Sequence, residues 1–359
     1  MKNNLKRIAE RIFLAKKEDQ KVAVWGDYDT DGISGATIVY QTLKNLGFKN
    51  LQLILDPSGR MDQKIIHKLI SNGNKLIVIV DMGITEVEKI NFALSNGMEV
   101  IVIDHHLYTS PPPVLFHHSL KKAAVQLCYE VAKAINPDEQ FSDLVALGSI
   151  ADKIELNSEN KKVIIKGIER INQRKRIGLK ILLSKIKLAK LAKKPGKSWD
   201  KLRSYFNFPL RNGLQNNFYQ IFVLNDESKL DKLTDELIRF HQNIYQKIDE
   251  FSKTIKLEES KLTLVEHHLP HATSGVNGAI AERLANKFNR IALVHGGKDK
   301  NGLVRVSARA PSDGYHLVKL FRKCSNLFLN FGGHPKAAGF QARYNDLEKI
   351  KICLSKNLH

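Results

Sequence analysis

Short apolar runs alternate with amphipathic segments over the first third of the chain. Continuous apolar runs bounded by turn residues are typical of strands buried on both faces of a sheet. There are four such runs: Val22–Trp25, Leu51–Leu55, Leu76–Val80 and Val100–Ile103. Helical spacing of apolar residues separates them, over Ile33–Leu46, Gln63–Ser71 and Glu86–Ser95. The alternation predicts an α/β fold with a parallel sheet covered by helices on both faces.

The pattern changes twice after this alternation. Pro111–Pro113 interrupts it, and helices are predicted at about Leu120–Ile135 and Ser142–Ala151. The next hundred residues are Lys-rich and helical in period, with a loop predicted at Phe206–Asn217 and one long helix at Leu230–Phe251. We therefore predict a first domain over residues 1–160 and a helical connector over 161–261.

Strand-like runs return near the end of the chain. They lie at Leu262–Glu266, Ile291–His295 and Val304–Ala308, with helices predicted at Gly278–Phe288 and Tyr315–Cys324. This spacing predicts a second, smaller α/β domain over residues 262–359.

The charge balance is strongly basic. Lys and Arg number 57 against 37 Asp and Glu, which gives a formal net charge of +20. Such a charge attracts polyanions and favours a nucleic-acid partner; the alternative is a Lys-rich genome or a thermophile surface. The basic stretch Ser184–Lys197 fits a solvated helix face and a nucleic-acid contact equally well.

Cysteines and apolar runs exclude several classes of protein. Cys128, Cys324 and Cys353 are odd in number and lack CxxC spacing, which argues against a disulfide framework and against a thiolate zinc site. No run approaches the ~20 apolar residues of a membrane span, and the first twenty residues lack a signal-peptide core. We expect a cytoplasmic protein and no membrane partner.

Acidic and imidazole side chains follow three of the predicted strands. Asp27, Asp29 and Asp31 follow the first, Asp81 the third, and the triplet Asp104–His106 the fourth. Because the carboxyl ends of parallel strands share one edge of a sheet, these groups should meet there. So much negative charge in one place requires cations, and a pair of divalent metal ions is the expected source.

The residue types narrow the metal and the chemistry. His105 and His106 are adjacent, so strand alternation lets only one of them face the metals. Asp152 ends a predicted helix, where a carboxylate is unfavourable without a nearby cation. An oxygen-rich set with one imidazole favours Mn²⁺ or Mg²⁺ over structural zinc. A calcium loop is excluded, because a strand precedes the aspartates and position 38 is Ile. Two such ions favour hydrolysis of a phosphodiester or phosphoanhydride.

The second predicted domain carries groups suited to phosphate. Arg305, Ser307 and Arg309 alternate along one strand, so they share one face. Small residues in Gly332-Gly333-His334 can bring backbone N–H groups and an imidazole to a phosphate. The alternative for this segment is a purely structural glycine turn.

Together these residues resemble the DHH phosphoesterase superfamily, and within it the RecJ-like single-strand nucleases. The resemblance rests on six stretches: VWGDYDTDGISG (24–35), IVDMG (79–83), VIDHH (102–106), ALGSIADKIEL (146–156), SGVNGAIAERLANKF (274–288) and NFGGHPKAAGF (330–340). It implies a DHH domain, a helical connector and a DHH-associated domain. Bacterial members carry a further oligonucleotide-binding domain. This chain ends at His359 and resembles the compact archaeal type.

The resemblance implies a role for each matched position. The expected ligands of two Mn²⁺ or Mg²⁺ ions are Asp29, Asp31, Asp81, His105 and Asp152. The expected catalytic residues are Asp27 beside the metals, Asp104 holding the geometry and His106 contacting the scissile phosphate. For substrate binding the resemblance implies Arg309 and His334, and the residue pattern described above adds Arg305, Ser307, Gly332 and Gly333.

The function that follows is a two-metal exonuclease on single-stranded nucleic acid, DNA in the first place and RNA as a further substrate. The strand would run through a basic cleft between the two α/β domains, and the protein would act in replication or repair, with replication-complex proteins as further partners. Two alternatives stay open: a small-substrate phosphodiesterase acting on oligoribonucleotides or cyclic dinucleotides, and a non-catalytic scaffold of a replication complex.

Overall fold

The computed structural model describes residues 2–55, 60–210, 214–256, 262–269, 274–311, 314–333 and 335–358. Contacts divide the chain into two compact units, Met1–Ile238 and Arg239–His359. Among the described residues, no helix combines the length and the apolar character that a membrane crossing requires.

A five-stranded parallel sheet forms the centre of the first unit, as the sequence predicts. The strands are β1 (Lys21–Gly26), β2 (Leu51–Leu55), β3 (Asn74–Val80), β4 (Glu99–Asp104) and β5 (Leu115–His118), in the order β2-β1-β3-β4-β5. Because β1 lies inside the sheet, both of its faces are buried: Val22 and Val24 join one apolar core, and Ala23 and Trp25 the other. β5 is only four residues long and was not predicted from the sequence.

Ten helices lie wholly within the described part of the first unit. They are α1 (Lys2–Lys17), α2 (Thr30–Asn45), α3 (Gln63–Ser71), α4 (Val87–Ser95), α5 (Ala124–Ile135), α6 (Ser142–Asp152), α7 (Ser158–Asn172), α8 (Ile177–Lys185), α9 (Lys197–Leu210) and α10 (Gln215–Val223). Apolar residues of α7 to α10, such as Ile168, Leu182, Leu202 and Phe222, join the same core as the sheet. Most of the predicted connector therefore packs with the first unit.

The predicted loop Phe206–Asn217 is mostly helical. α9 continues to Leu210 and α10 begins at Gln215, while residues 211–213 lie outside the described part. The predicted long helix is confirmed as α11 (Glu227–Thr254), which contributes residues to both units. Our boundaries at 160 and 261 stay a prediction.

The second unit contains a mixed five-stranded sheet. Its strands are β6 (Leu262–Glu266), β7 (Ile291–His295), β8 (Leu303–Arg309), β9 (Asn330–Gly333) and β10 (Ala337–Arg343), in the order β6-β7-β8-β10-β9. Only β6 and β7 are parallel; the other neighbours are antiparallel. The helices are α12 (Ser274–Phe288), α13 (Leu317–Arg322) and α14 (Leu347–Lys356), with short 3₁₀ turns at Ser325–Leu327 and Tyr344–Asp346. The glycine segment predicted as a turn thus contributes to two strands, the edge strand β9 and the start of its neighbour β10.

The prediction about the cysteines was wrong for one pair. Cys324 and Cys353 form a disulfide between the end of α13 and α14, whereas Cys128 is free and buried beneath the first sheet. The spacing of 29 residues gives no sign of pairing, because the fold rather than a local motif brings the two positions together.

Candidate metal centre

Asp29 begins the helix that follows β1. Its Oδ1 accepts hydrogen bonds from the backbone N–H groups of Asp31 (2.9 Å) and Gly32 (3.2 Å), so the side chain is the N-cap of α2. The helix therefore begins at Thr30, three residues before the predicted start. Gly32 lies within this first turn. A Cβ at position 32 would lie only 2.7 Å from Asp27 Cβ, so this glycine is needed for close packing.

Asp31 is buried and held by the start of a second helix. Its Oδ2 accepts from Ala124 N (2.8 Å) and its Oδ1 from Val125 N (3.0 Å) at the first turn of α5. Free N–H groups at a helix N-terminus are suited to a carboxylate. Gly148 of α6 lets that helix approach, since a Cβ there would lie 3.0 Å from Asp31 Oδ1. Backbone donors leave no mark in the sequence, and sequence reasoning missed them.

Asp81 has the most constrained position of the group. It lies in the left-handed region, at φ +62°, directly after β3, and its N–H donates to Ile103 O at 2.8 Å. The side chain is almost fully buried. Its Oδ1 lies 3.2 Å from His105 Nε2 yet accepts no hydrogen bond within the described part of the chain. A strained backbone and a buried carboxylate oxygen without a donor are features of functional sites.

Asp104 organises the two histidines. Its Oδ1 accepts from the backbone N–H of His105 (2.7 Å), from that of His106 (3.1 Å) and from His106 Nδ1 (2.8 Å), and its Oδ2 accepts from Ile84 N (3.0 Å). These four contacts hold the carboxylate against the loops that follow β3 and β4. The geometry agrees with a positioning role for Asp104.

Both imidazoles lie beside the carboxylates. His105 Nε2 is 3.2 Å from Asp81 Oδ1, and His106 Nδ1 is 3.9 Å from the same oxygen. β4 ends at Asp104, so strand alternation does not extend to these two residues, and that only one of them faces the metals stays a prediction. His106 is the more exposed ring, at 56% of its side chain against 14% for His105.

Asp152 enters the group from outside the sheet. It is the last residue of α6, before Lys153 at φ +59°, and its Oδ2 lies 3.8 Å from His105 Nδ1. Asn207 of α9 connects the neighbouring helix ends: its Oδ1 accepts from Thr30 Oγ1 (2.5 Å), and its Nδ2 donates to Ala151 O (3.0 Å). Asn207 fell within the predicted loop, so sequence reasoning missed it.

The charges of this cluster disfavour ionised carboxylates. Burial, and then the other aspartates, raise the pKa of Asp152 to about 8 and that of Asp81 well above its ordinary value. Burial also raises the pKa of Asp31 to about 6 although His105 opposes this. For Asp104, burial acts upward too, but the hydrogen bond from His106 lowers the pKa below its usual range.

The histidines respond in the opposite sense. Burial alone would lower the pKa of both, yet the surrounding carboxylates raise it for His105, and the bond to Asp104 raises that of His106 to about 9. The cluster therefore holds protons that a bound cation would replace.

Three overlapping groups can each hold a metal ion, with ligand atoms within 4.8 Å of one another. They are Asp81–His105–His106, Asp31–His105–Asp152 and Asp27–Asp29–Asp81. Asp81 and His105 each belong to two groups. Carboxylate oxygens with imidazole nitrogens suit Mn²⁺ or Mg²⁺, and the orphaned oxygen of Asp81 supplies a lone pair without a donor. The residues present thus fit a pair of such ions.

Comparisons with known proteins agree with this geometry. The profile of the DHH family N-terminal domain matches residues 21–149, and that of the DHHA1 domain matches residues 264–357. The chain belongs to the DHH/DHHA1 family. The first match contains all but one of the metal-centre residues; Asp152 lies three positions beyond it.

The chain is also similar to several proteins named RecJ. The single-stranded-DNA-specific exonuclease RecJ of Bacillus subtilis is 26% identical over 98% of this chain and 47% of its own length. That of Thermus thermophilus is 27% identical, with coverages of 94% and 52%. The crystal structure of Thermus thermophilus RecJ with Mn²⁺ has a TM-score of 0.84 at 23% identity and covers 98% of this chain and 54% of that one. This chain thus spans about half the length of the curated relatives that it matches first.

The DHHA1 domain brings most of the predicted phosphate-binding residues onto one sheet. Arg305, Ser307 and Arg309 lie on β8, and Ser307 pairs with Gly339, which pairs in turn with Gly332 of β9. Gly333 lies at φ +126°, and a Cβ there would lie 2.6 Å from Ala337 O, so this position needs glycine. Gly278 of α12 leaves room for the Arg309 guanidinium, since a Cβ would come within 2.7 Å of Nη2. His334 lies outside the described residues.

A third histidine, His118, contacts the segment that carries His105 and His106. His118, at the end of β5, contacts His106 O through Nε2 at 2.8 Å, and its strand pairs with β4 at Asp104. His118 was not singled out from the sequence, because the strand that carries it, β5, was not predicted.

Proposed function

We propose that this DHH/DHHA1 chain is a metal-dependent exonuclease that hydrolyses phosphodiester bonds of single-stranded nucleic acid, DNA first and RNA as a further substrate. The observation that carries the proposal is the set of three overlapping metal-capable groups, built on Asp81 and His105 at the carboxyl edge of a parallel sheet. That edge is where ligands bind in open α/β sheets.

The metal-holding residues we propose are Asp29, Asp31, Asp81, His105 and Asp152, for two Mn²⁺ or Mg²⁺ ions. When bound, the ions supply a deprotonated water at neutral pH and neutralise charge on the phosphate. Mn²⁺ and Mg²⁺ are each named for crystal structures of Thermus thermophilus RecJ with this fold, which supports the choice of ion.

The remaining residues of the centre position the substrate. Asp104 holds His106 through Nδ1, which leaves Nε2 of a half-exposed ring for a phosphate oxygen. In the metal-free protein the bond to Asp104 raises the pKa of this imidazole, and a protonated ring can donate from Nε2 to an anion. Asp27 completes the acid group on the side of Asp29 and Asp81.

Two further observations favour a polymeric substrate. The formal net charge of +20 favours a polyanion, and the relatives are named single-stranded-DNA-specific exonucleases. Arg305, Ser307 and Arg309, with Gly332, Gly333 and His334, are the proposed phosphate contacts of the DHHA1 domain. Roles in repair or replication, and protein partners from a replication complex, belong to the same proposal.

Strands labelled at either end, as DNA and as RNA, test the proposal in Mn²⁺ and in Mg²⁺. We expect stepwise release of mononucleotides from one end of single strands and none from duplex. Asp81→Ala should abolish release, whereas Asp138→Ala, which removes an exposed aspartate of the same unit, should retain it. Equal activity of the two variants would overturn the proposal. Faster hydrolysis of a dinucleotide than of a long strand would point to the small-substrate alternative.

A further inference from the structure

A pocket of about 200 Å³ lies in the first unit, at the end of α6 that is opposite to Asp152. Its lining includes Phe141, Asp143, Arg170, Lys175, Arg176 and Ile177. Asp143 and Asp152 are nine positions apart on one helix, so the pocket is roughly 14 Å from the acid end along the helix axis. No residue of the metal centre lines the pocket.

The pocket has one carboxylate, and an arginine already pairs with it. Asp143 is buried, and Arg176 contacts both of its oxygens, with Nε at 2.8 Å from Oδ2 and Nη2 at 3.2 Å from Oδ1. Arg176 Nη1 also donates to Phe222 O at the end of α10. This two-point pair satisfies the negative charge of the pocket within the protein itself.

Two further cations line the same space: Arg170, whose Nη1 donates to Gln140 Oε1 at 3.0 Å, and Lys175. Arg170 Nε lies 3.7 Å from Asp143 Oδ1, too far for a hydrogen bond, and this buried atom has no hydrogen-bond partner within the described part of the chain. Lys175 is exposed and has no carboxylate within 4 Å among the described residues. Three cations against one carboxylate leave two positive charges in excess.

A helix N-terminus adds to this positive field. Arg176 precedes Ile177, the first residue of α8, and no side chain caps that helix. Its first N–H groups are therefore without an intrahelical partner, at a place where Ile177 itself lines the pocket. Arginine and open helix N–H groups together are a phosphate-binding combination.

We infer that this pocket binds a phosphate monoester at a site distinct from the metal centre. A monoester carries about −1.5 to −2 charges at neutral pH, which matches the excess of two, whereas a backbone phosphodiester carries only about one. The group can come from a free mononucleotide or from the terminal phosphate of a strand. The inference does not depend on the proposed exonuclease activity.

Calorimetric titration of the full chain in EDTA tests the inference, with inorganic phosphate, dAMP and thymidine as probes. We expect phosphate and dAMP to bind and thymidine not to. Lys175→Ala should weaken phosphate about tenfold, the size of one charge-assisted contact. Lys180→Ala is the matched control, because it removes an exposed lysine of α8 that does not line the pocket, and it should change affinity less than about twofold.

A second variant and a second probe keep the test decisive. Arg170→Gln should weaken phosphate as Lys175→Ala does, with thermal melting to show that both variants are folded. If the two variants lose affinity for a 5′- or 3′-phosphorylated strand but not for the same strand with hydroxyl ends, the site binds a strand end. If they lose affinity for dAMP, the site binds a free nucleotide. Equal binding by the Lys175→Ala and Lys180→Ala proteins to every probe, or no binding by the unaltered protein, overturns the inference.

Discussion

Helix α6 carries an aspartate at each end, Asp143 buried and Asp152 partly buried, and the two have opposite surroundings. Asp143, in the first turn, is paired at two points with the Arg176 guanidinium. Asp152, the last residue, lies beside other carboxylates, with the His105 imidazole 3.8 Å away, and its pKa is raised to about 8. The same residue type is stabilised as an anion at one end and disfavoured as an anion at the other.

This difference separates a structural acid from a functional one. A buried carboxylate that the protein neutralises with its own arginine contributes to the fold and needs nothing from solution. A cluster of buried carboxylates without such a partner is costly until a cation enters. The metal centre is therefore preorganised at the expense of the metal-free protein, and four predictions test this division.

The largest expected effect is on hydrolysis. Asp152→Asn removes a proposed metal ligand and should lower the rate of strand digestion by about three orders of magnitude, which corresponds to ~4 kcal/mol of activation free energy. Asp143→Asn, at the other end of the same helix, should retain most of the rate when assayed below its melting temperature. Initial rates with saturating Mn²⁺ give the comparison. Similar losses in both variants would mean that α6 acts as a whole and that its two ends are not distinct.

The next effect is on the stability of the fold. Asp143→Asn leaves the largely buried Arg176 without its anion, and we expect the free energy of unfolding to fall by about 3 kcal/mol. Denaturant titration followed by circular dichroism measures this. Glu159→Gln, which weakens a pair with the Lys122 ammonium at a carboxylate that is 65% exposed, is the control and should cost less than about 1 kcal/mol. A loss as small as that of the control would show that Asp143 is not a structural acid.

Asp143 lies in the predicted helix Ser142–Ala151 and Asp152 directly follows its last residue, yet sequence reasoning singled out only Asp152. Asp152 was found because a carboxylate at a helix C-terminus conflicts with the helix dipole. Asp143 sits in the first turn, where an acid is ordinary, and its partner Arg176 is 33 positions away. The basic pocket has no motif for the same reason: its residues come from α2, α6, α7, α8, α10 and the segments next to these helices.

The parallel sheet and the acids at its strand ends could be predicted because apolar runs and strand ends are local features. Elements without such a signal could not. β5 is four residues long and follows three prolines, and β9 is half glycine. The end of a strand, unlike its interior, does not fix where a side chain points, so strand alternation is a poor guide to the directions of His105 and His106, which follow the last residue of β4.

Added Mn²⁺ should stabilise variants at the two ends of α6 to different extents. A metal ion that binds only the folded protein at about 100 times its Kd stabilises it by ~2.7 kcal/mol. We expect Mn²⁺ to raise the melting temperature of the unaltered protein and of Asp143→Asn by the amount that corresponds to this stabilisation. The rise for Asp152→Asn should be less than half as large. Differential scanning calorimetry after EDTA dialysis measures the shift, and an equal shift in both variants would place Asp152 outside the ligand set.

The smallest expected effect is the pH dependence of the metal-free protein. The pKa values of Asp31, Asp152 and His106 are all raised, to about 6, 8 and 9. The folded state therefore binds more protons than the unfolded state, and its stability must fall as pH rises through this range. Between about pH 6 and pH 9 we therefore expect the free energy of unfolding to decrease steadily, measured as the midpoint of urea unfolding in EDTA. Asp152→Asn should flatten the profile and raise stability at the alkaline end, because Asn carries no charge to bury. Asp143→Asn should lower the whole profile without changing its slope.

A flat profile in the unaltered protein would mean that the carboxylates around Asp152 are compensated without metal. The contrast between the two ends of α6 would then fail.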